Sequence, residues 1–118
     1  MTANDVWARP GQTGGNTAAY MMLDNGTGSE AKLVSASTDI AMMVELHESS
    51  MDAEGVMKMQ QQEFIPVPEN GSTELKPGGL HVMIMNLKQD LSVGDTFALK
   101  LTFEDGTEIN LDVPVQQP

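Results

Sequence analysis

Two histidines and several methionines occupy one part of this chain, and together they could bind a soft metal ion. The only histidines are His47 and His81, and the chain contains ten methionines and no cysteine. His47, Met59, His81 and Met83 all fall within 37 positions. Imidazole nitrogen combined with thioether sulfur suits Cu(I) far better than Mg²⁺, Ca²⁺ or Mn²⁺. We therefore interpret the chain first as a copper-binding domain, with Cu(I) as the bound ion.

The lack of cysteine narrows the possible chemistry. Without a thiolate the chain supplies no disulfide, no zinc–cysteine site and no cysteine nucleophile. A blue-copper electron-transfer centre is excluded too, because its core of two histidines and one cysteine needs the thiolate. Many methionines without cysteine fit copper handling outside the cytoplasm, where thiols would oxidise. Residues 1–5 are polar, so we expect the signal or anchor segment to be absent from this chain.

Length and charge limit the classes of protein. The 118 residues predict a single domain, over residues 1–118, that does not need a metal to fold. The formal net charge of −11 argues against nucleic-acid binding, which depends on Lys and Arg at the phosphates. No apolar run reaches the roughly 20 residues of a membrane helix. We expect a soluble monomer that does not insert into a membrane.

Apolar periodicity predicts an all-β protein. Short apolar segments, separated by turns rich in Gly, Pro, Asn and Asp, recur along the chain, and helical periodicity is nearly absent. This pattern is typical of an antiparallel β-sandwich. The ten predicted strands span residues 5–8, 18–24, 32–37, 41–48, 55–61, 64–67, 72–75, 81–87, 96–103 and 108–115.

Alternation is clearest near the C-terminus, where it identifies core residues. Apolar side chains occupy every second position before and after a turn, and we assign them to the core. They are Phe97, Leu99, Leu101 and Phe103, followed by Ile109, Leu111, Val113 and Val115. Between these segments, Asp105-Gly106 predicts a type I′ hairpin turn, because such a turn requires positive φ at both central residues.

The strand that contains the second histidine has two distinct faces. Side chains two positions apart share a face, so His81, Met83 and Met85 project together. The opposite face carries Val82 and Ile84, which are the better core residues. We therefore expect the His81 face to be turned toward a loop or solvent.

Three predicted strands could bring the candidate ligands together. His47 ends one strand and Met59 lies on another, so a sandwich could place two imidazoles and two thioethers around one point. A single methionine is more often a packing residue than a ligand. We interpret Met57 and Met85 as packing or docking residues. We assign no site role to four strand methionines, Met21, Met22, Met42 and Met43. Trp7 and Arg9 we interpret as edge-strand packing and surface charge.

The spacing resembles that of the periplasmic Cu(I) chaperone family called PCu(A)C. In that family a His and an optional Met are followed by ten residues, Met, twenty-one residues, His, any residue and Met. Here His47 and Glu48 are followed by ten residues and Met59, and then by twenty-one residues and the segment His81-Val82-Met83. Glu48 departs from the pattern, because the family often has Met there.

The resemblance implies a cupredoxin-like, antiparallel Greek-key β-sandwich that binds one Cu(I) near its surface. It implies that His47, Met59, His81 and Met83 are the metal ligands. It also implies a periplasmic or extracytoplasmic copper chaperone. The recipient would be a copper-accepting protein, such as the CuA site of cytochrome c oxidase subunit II, or another periplasmic copper carrier. Because a partner must reach the ion, we expect Met59, Met83 or both at an exposed rim.

Two other classes of function stay open at this stage. One is a structural or adhesive β-sandwich interaction module without a metal function. The other is an enzyme, which the sequence disfavours: no paired acid and base stand out, no Ser-His-Asp order is legible, and no Gly-rich phosphate loop follows a strand. We therefore expect that the protein is not an enzyme and has no catalytic residues.

Overall fold

Within the part of the chain that the structure describes, ten β-strands follow one another. The computed structural model describes residues 2–51 and 53–117. The strands are β1 (Thr2–Ala8), β2 (Thr17–Asn25), β3 (Ala31–Ser37), β4 (Ala41–Met51), β5 (Met57–Gln61), β6 (Ile65–Val67), β7 (Gly71–Leu75), β8 (Leu80–Leu87), β9 (Thr96–Phe103) and β10 (Glu108–Pro114). Each predicted strand overlaps one of these. The described residues form no helix that is long and apolar enough to cross a membrane.

The strands form two sheets that pack face to face. One sheet has the order β1-β2-β8-β4-β5, with β7 paired to the second half of β2, and the other has the order β10-β9-β3-β6. The strand pairs within each sheet are antiparallel. One isolated parallel bridge joins Ala8 to Val115. Because β8 lies between β2 and β4, the chain leaves this sheet and returns to its middle. The expected cupredoxin-like, antiparallel Greek-key β-sandwich is confirmed.

The core lies between the two sheets and explains which face of β8 is turned outward. Leu99 and Leu101 on β9 are buried, as their alternation predicts, and so are Val82 and Ile84 on β8. Residues of both sheets belong to the same apolar cluster. Since side chains alternate along a strand, the face of β8 that carries His81 lies on the outer side of the six-stranded sheet.

The turn between β9 and β10 differs from its prediction. Gly106 has a φ of 92°, whereas Asp105 is not among the residues with positive φ. The Gly106 N–H donates to the Phe103 carbonyl at 2.9 Å, as in a hairpin built on a type I turn and a left-handed glycine. The type I′ prediction was wrong, because it places a non-glycine residue in a conformation that costs roughly 1–2 kcal/mol.

The turn between β7 and β8 holds the backbone just before His81. The Gly79 N–H donates to the Lys76 carbonyl at 3.0 Å, and Gly78 has a φ of 83°. Pro77 at the second position and a positive-φ glycine at the third are the features of a type II turn. The Gly79 carbonyl also accepts a hydrogen bond from the Ser49 N–H at 3.0 Å, so the turn is attached to the neighbouring strand β4.

Candidate metal site

His47 and His81 lie side by side on two interior strands. They are direct partners in the antiparallel ladder between β4 and β8. Their ring centroids are 6.0 Å apart, and the ring planes are inclined by 44°. Each of these strands has a neighbour on both sides, so the sheet holds both backbones in place. The structure thus brings together the two histidines, although they are far apart in sequence.

The ring of His47 is oriented by a carboxylate. Its Nε2 lies 2.8 Å from Oε1 of Glu45, and the two side chains are 15% and 23% exposed. A carboxylate oxygen accepts hydrogen bonds, so Nε2 donates and Nδ1 is left with its lone pair. His47 Nδ1 is buried and has no hydrogen-bond partner. The ring therefore offers one free acceptor in a site shielded from water.

His81 is oriented by the backbone instead. Its Nδ1 donates to the Gly79 carbonyl at 3.1 Å, so the lone pair lies on Nε2. His81 Nε2 is also buried and unpartnered. The residue is on the outer face of the sheet, but only 2% of its surface is exposed. The expectation that this face is open to a loop or solvent was wrong for His81, because the rings of His47 and Tyr20 pack beside it.

The two free nitrogens fit a metal ion. Within residues 2–51 and 53–117, they are the only buried side-chain polar atoms that lack a hydrogen-bond partner. Such an atom costs about 1–3 kcal/mol, so two in adjacent rings need an explanation. Histidine ligands typically donate their second ring nitrogen to a carboxylate or carbonyl, as both rings do here. The described residues contain no group of three or more His, Asp or Glu that could hold a metal ion, and thioether sulfur is a further ligand that suits Cu(I).

Two of these thioethers border the same cavity. Met83 follows His81 on β8 and is half-buried. Met59 lies on β5, directly opposite Ser49 of β4, and is 58% exposed. Together with His81 they line a cavity of about 580 Å³ on the outer side of the sheet. Three of the four predicted ligands therefore share one cavity. The fourth, His47, lies beside His81. The side chain of Met57 lies outside the described part of the structure.

Aromatic and cationic side chains cover the other side of His81. Tyr20 is 6% exposed, and its ring centroid lies 6.3 Å from that of His81. Trp7 stacks against Tyr20 at 4.8 Å, and the guanidinium carbon of Arg9 lies 5.6 Å from the Tyr20 ring centroid. Arg9 and Tyr20 also line the cavity. Trp7 lies on the edge strand β1 and Arg9 is exposed, in line with the interpretation from sequence, which did not include their contacts with Tyr20 beside His81.

The surroundings of His81 lower its pKa below the ordinary value of 6.5. Burial is the main cause, because it disfavours the charged imidazolium, and the electrostatic influence of the neighbouring His47 and Arg9 acts in the same direction. The hydrogen bond to the Gly79 carbonyl opposes this shift. His81 is consequently neutral near pH 7 and keeps the lone pair that a metal ion needs.

Comparison with known proteins identifies the family. Residues 1–115 match the family model described as "Putative lipoprotein LpqE-like". The chain belongs to the LpqE-like family. Protein RP573 of Rickettsia prowazekii (strain Madrid E), described as uncharacterized, is 33% identical to this LpqE-like chain over 115 residues. The match covers 92% of this chain, which spans only 62% of that relative's length.

Solved structures share the fold of this LpqE-like chain. The copper-bound PCuAC domain from PmoF2 superimposes with a TM-score of 0.80, covers 98% of this chain and 92% of its own, and is 22% identical. The solution structure of CuI-DR1885 from Deinococcus radiodurans gives a TM-score of 0.68 at 32% identity, with 98% of this chain and 79% of that chain covered. The resemblance to the PCu(A)C family is confirmed.

Two orienting residues of this LpqE-like chain were not found from its sequence. Glu45 and Gly79 each stand two positions before a histidine, and each accepts the hydrogen bond from one ring nitrogen. For Glu45 the two-residue spacing was a usable signal, because residues i and i+2 share a strand face. For Gly79 the contact is made by the backbone, so the residue type gave no indication of it.

Proposed function

We propose that this domain is a Cu(I) carrier that binds one ion through His47 Nδ1, His81 Nε2 and the sulfur atoms of Met59 and Met83. The observation that carries the proposal is the pair of buried, unpartnered ring nitrogens on adjacent strands. The position of Met59 and Met83 around the same cavity supports it. Copper in the PmoF2 domain and Cu(I) in DR1885, which share this fold, support the choice of ion.

The ligand set suits an ion that must later be released. Cu(I) accepts soft thioether ligands. Thioethers carry no proton, so only the two imidazoles have to be deprotonated before the ion binds. Both rings are already oriented by Glu45 and Gly79, which reduces the ordering that binding requires. Sulfur without a negative charge binds the ion less firmly than a thiolate would.

The exposed ligand is the point where a partner would begin to take the ion. Met59 is 58% exposed, whereas His81 is 2% exposed. An acceptor with two cysteine thiolates would displace Met59 first and the buried imidazoles last. We propose delivery outside the cytoplasm to such an acceptor, for example the CuA site of cytochrome c oxidase subunit II or another periplasmic copper carrier. The family's description as lipoproteins supports this location.

An anaerobic titration tests the proposal. Cu(I) is supplied in competition with a chromophoric chelator, and we expect the wild-type domain to withhold one equivalent. Met59→Leu and Met83→Leu each remove one sulfur and should weaken retention. Met59 is largely exposed, so its replacement should not disturb folding. Met42→Leu is the matched control, because Met42 is 75% exposed and its side chain alternates away from the histidine face. Equal retention in all three variants would rule out the proposed ligands.

A further inference from the structure

A second group of methionines lies next to the proposed Cu(I) site, on the same sheet face. Met43 on β4 and Met85 on β8 are direct partners in the ladder between these strands. By alternation Met43 shares the face of His47, and Met85 shares the face of His81 and Met83. Met43 is 49% exposed and Met85 is half-buried. Along β8 the thioethers of Met83 and Met85 therefore continue outward from His81. On β4, Glu45 stands between Met43 and His47 on this face, directly opposite Met83.

The register places the sulfur atoms of Met43 and Met85 within reach of one ion. Direct partners in an antiparallel ladder have Cβ atoms about 4.5–5.5 Å apart. Methionine has a long, unbranched side chain, so two such neighbours can direct both sulfurs to a shared point. Met83 lies on the same face, two residues or about 7 Å along the strand. It stands between the Met43–Met85 pair and His81.

Packing in the apolar core does not account for this pair. The apolar core is on the opposite side of the sheet, and neither Met43 nor Met85 belongs to it. An exposed methionine on the solvent side of a sheet buries little surface and contributes little to folding. The chain's net charge of −11 attracts cations in general. The sulfur ligands then select soft monovalent ions over Mg²⁺ or Ca²⁺.

We propose that Met43 and Met85 form a second and weaker Cu(I) site, beside Met83 of the histidine site. It has no imidazole, so it binds the ion less firmly than the histidine site. Because Met83 lies between Met85 and His81 on β8, an ion bound at the outer methionines can move to the histidines without returning to bulk solvent. Only the transfer of the ion to the histidines rests on the proposed function, because Met43 and Met85 can bind Cu(I) whether or not the histidines do.

Methyl-labelled methionine makes both sites visible in one experiment. The domain is labelled with ¹³C in its methionine methyl groups and titrated anaerobically with Cu(I) to two equivalents. We expect the first equivalent to shift the methyl signals of Met59 and Met83. The second equivalent should shift those of Met43 and Met85. If the first set does not move while Met43 and Met85 do, the proposed carrier site fails and the second site stands.

A double variant separates Cu(I) binding by Met43 and Met85 from general attraction of cations to the negatively charged chain. Met43→Leu combined with Met85→Leu removes both sulfurs at similar side-chain volume, so the fold should persist. We expect this variant to keep the first equivalent and lose the second. Met42→Leu, the adjacent exposed control, should keep both. The second site is disproved if two equivalents leave the Met43 and Met85 signals unshifted in the wild type, or if the double variant retains the second equivalent.

Discussion

Glu45 accepts a hydrogen bond from His47 Nε2 at 2.8 Å, and this contact leaves Nδ1 as the free nitrogen of the ring. The Gly79 carbonyl does the reverse for His81, holding Nδ1 and leaving Nε2 free. The two rings therefore present different nitrogens, although their residues are direct partners in one ladder. Which atom each ring offers is decided by the residue two positions earlier.

Removal of the Glu45 carboxylate should weaken Cu(I) binding without removing a ligand. Loss of such a partner typically lowers metal affinity by roughly 10–100-fold. We expect Glu45→Ala to show a decrease of this size in the chelator competition. Glu48→Ala is the control, since Glu48 is exposed, carries the same charge and, three residues along β4, alternates away from the face of His47. An equal decrease in both variants would mean that net charge, and not orientation of His47, is responsible.

A substitution in the β7–β8 turn should affect both stability and binding. Gly78 has a φ of +83°, and a Cβ added there meets no atom within 4 Å. Gly78→Ala therefore introduces only backbone strain, about 1–2 kcal/mol, which denaturant unfolding can measure. The same strain displaces the Gly79 carbonyl that orients His81, so Cu(I) retention should fall as well. Gly28→Ala, also in open space but without positive φ, should change neither quantity.

The stability of the metal-free domain should decrease in mild acid because of His81. Its folded-state pKa lies below 6.5, whereas the unfolded chain has the ordinary value. Between these two values the unfolded state binds more protons, so the free energy of unfolding falls as pH drops below about 6.5. The loss is complete once the pH is below the folded-state pKa. Urea unfolding at a series of pH values, with His81→Gln as reference, measures this contribution. Parallel curves for the two proteins would refute it.

Bound Cu(I) should stabilise the fold, and the choice of metal tests the role of sulfur. A ligand at 100 times its Kd raises the free energy of unfolding by about 2.7 kcal/mol if it binds only the folded state. We expect anaerobic unfolding in buffered Cu(I) to show a shift of this order. Zn²⁺ prefers nitrogen, thiolate and carboxylate ligands, so it should stabilise the domain less. Equal stabilisation by both ions would argue that Met59 and Met83 are not ligands.

The strands could be predicted because their signals are local. Alternation identified Leu99 and Leu101 as core residues, and both are buried. A turn rich in Gly and Pro was expected between the predicted strands 72–75 and 81–87, and the structure has one at Pro77-Gly78. Where the signal was ambiguous, as at Asp105-Gly106, the position of the break was right and the turn type was wrong.

The surroundings of the histidines could not be predicted from one sequence, because they depend on register between strands. Nothing near Tyr20 in sequence indicates that its ring lies 6.3 Å from His81. The direct pairing of Met43 with Met85 likewise follows from the β4–β8 ladder and from no local pattern. The burial of His81 has the same origin, since neighbours from other strands cover a face that alternation alone assigns to solvent.

The location of Met59 on an edge strand of its sheet has a consequence for release of the bound ion. Strand β5 has only five residues and, within the described chain, pairs with β4 alone, whereas the histidine strands are flanked on both sides. Peripheral strands detach transiently at much lower free energy than central ones. A brief detachment of β5 withdraws one sulfur while both imidazoles stay in place. The rate of ion release would then be governed by fraying of the five-residue strand β5. The amide hydrogens of β5 should therefore exchange sooner than those of β8.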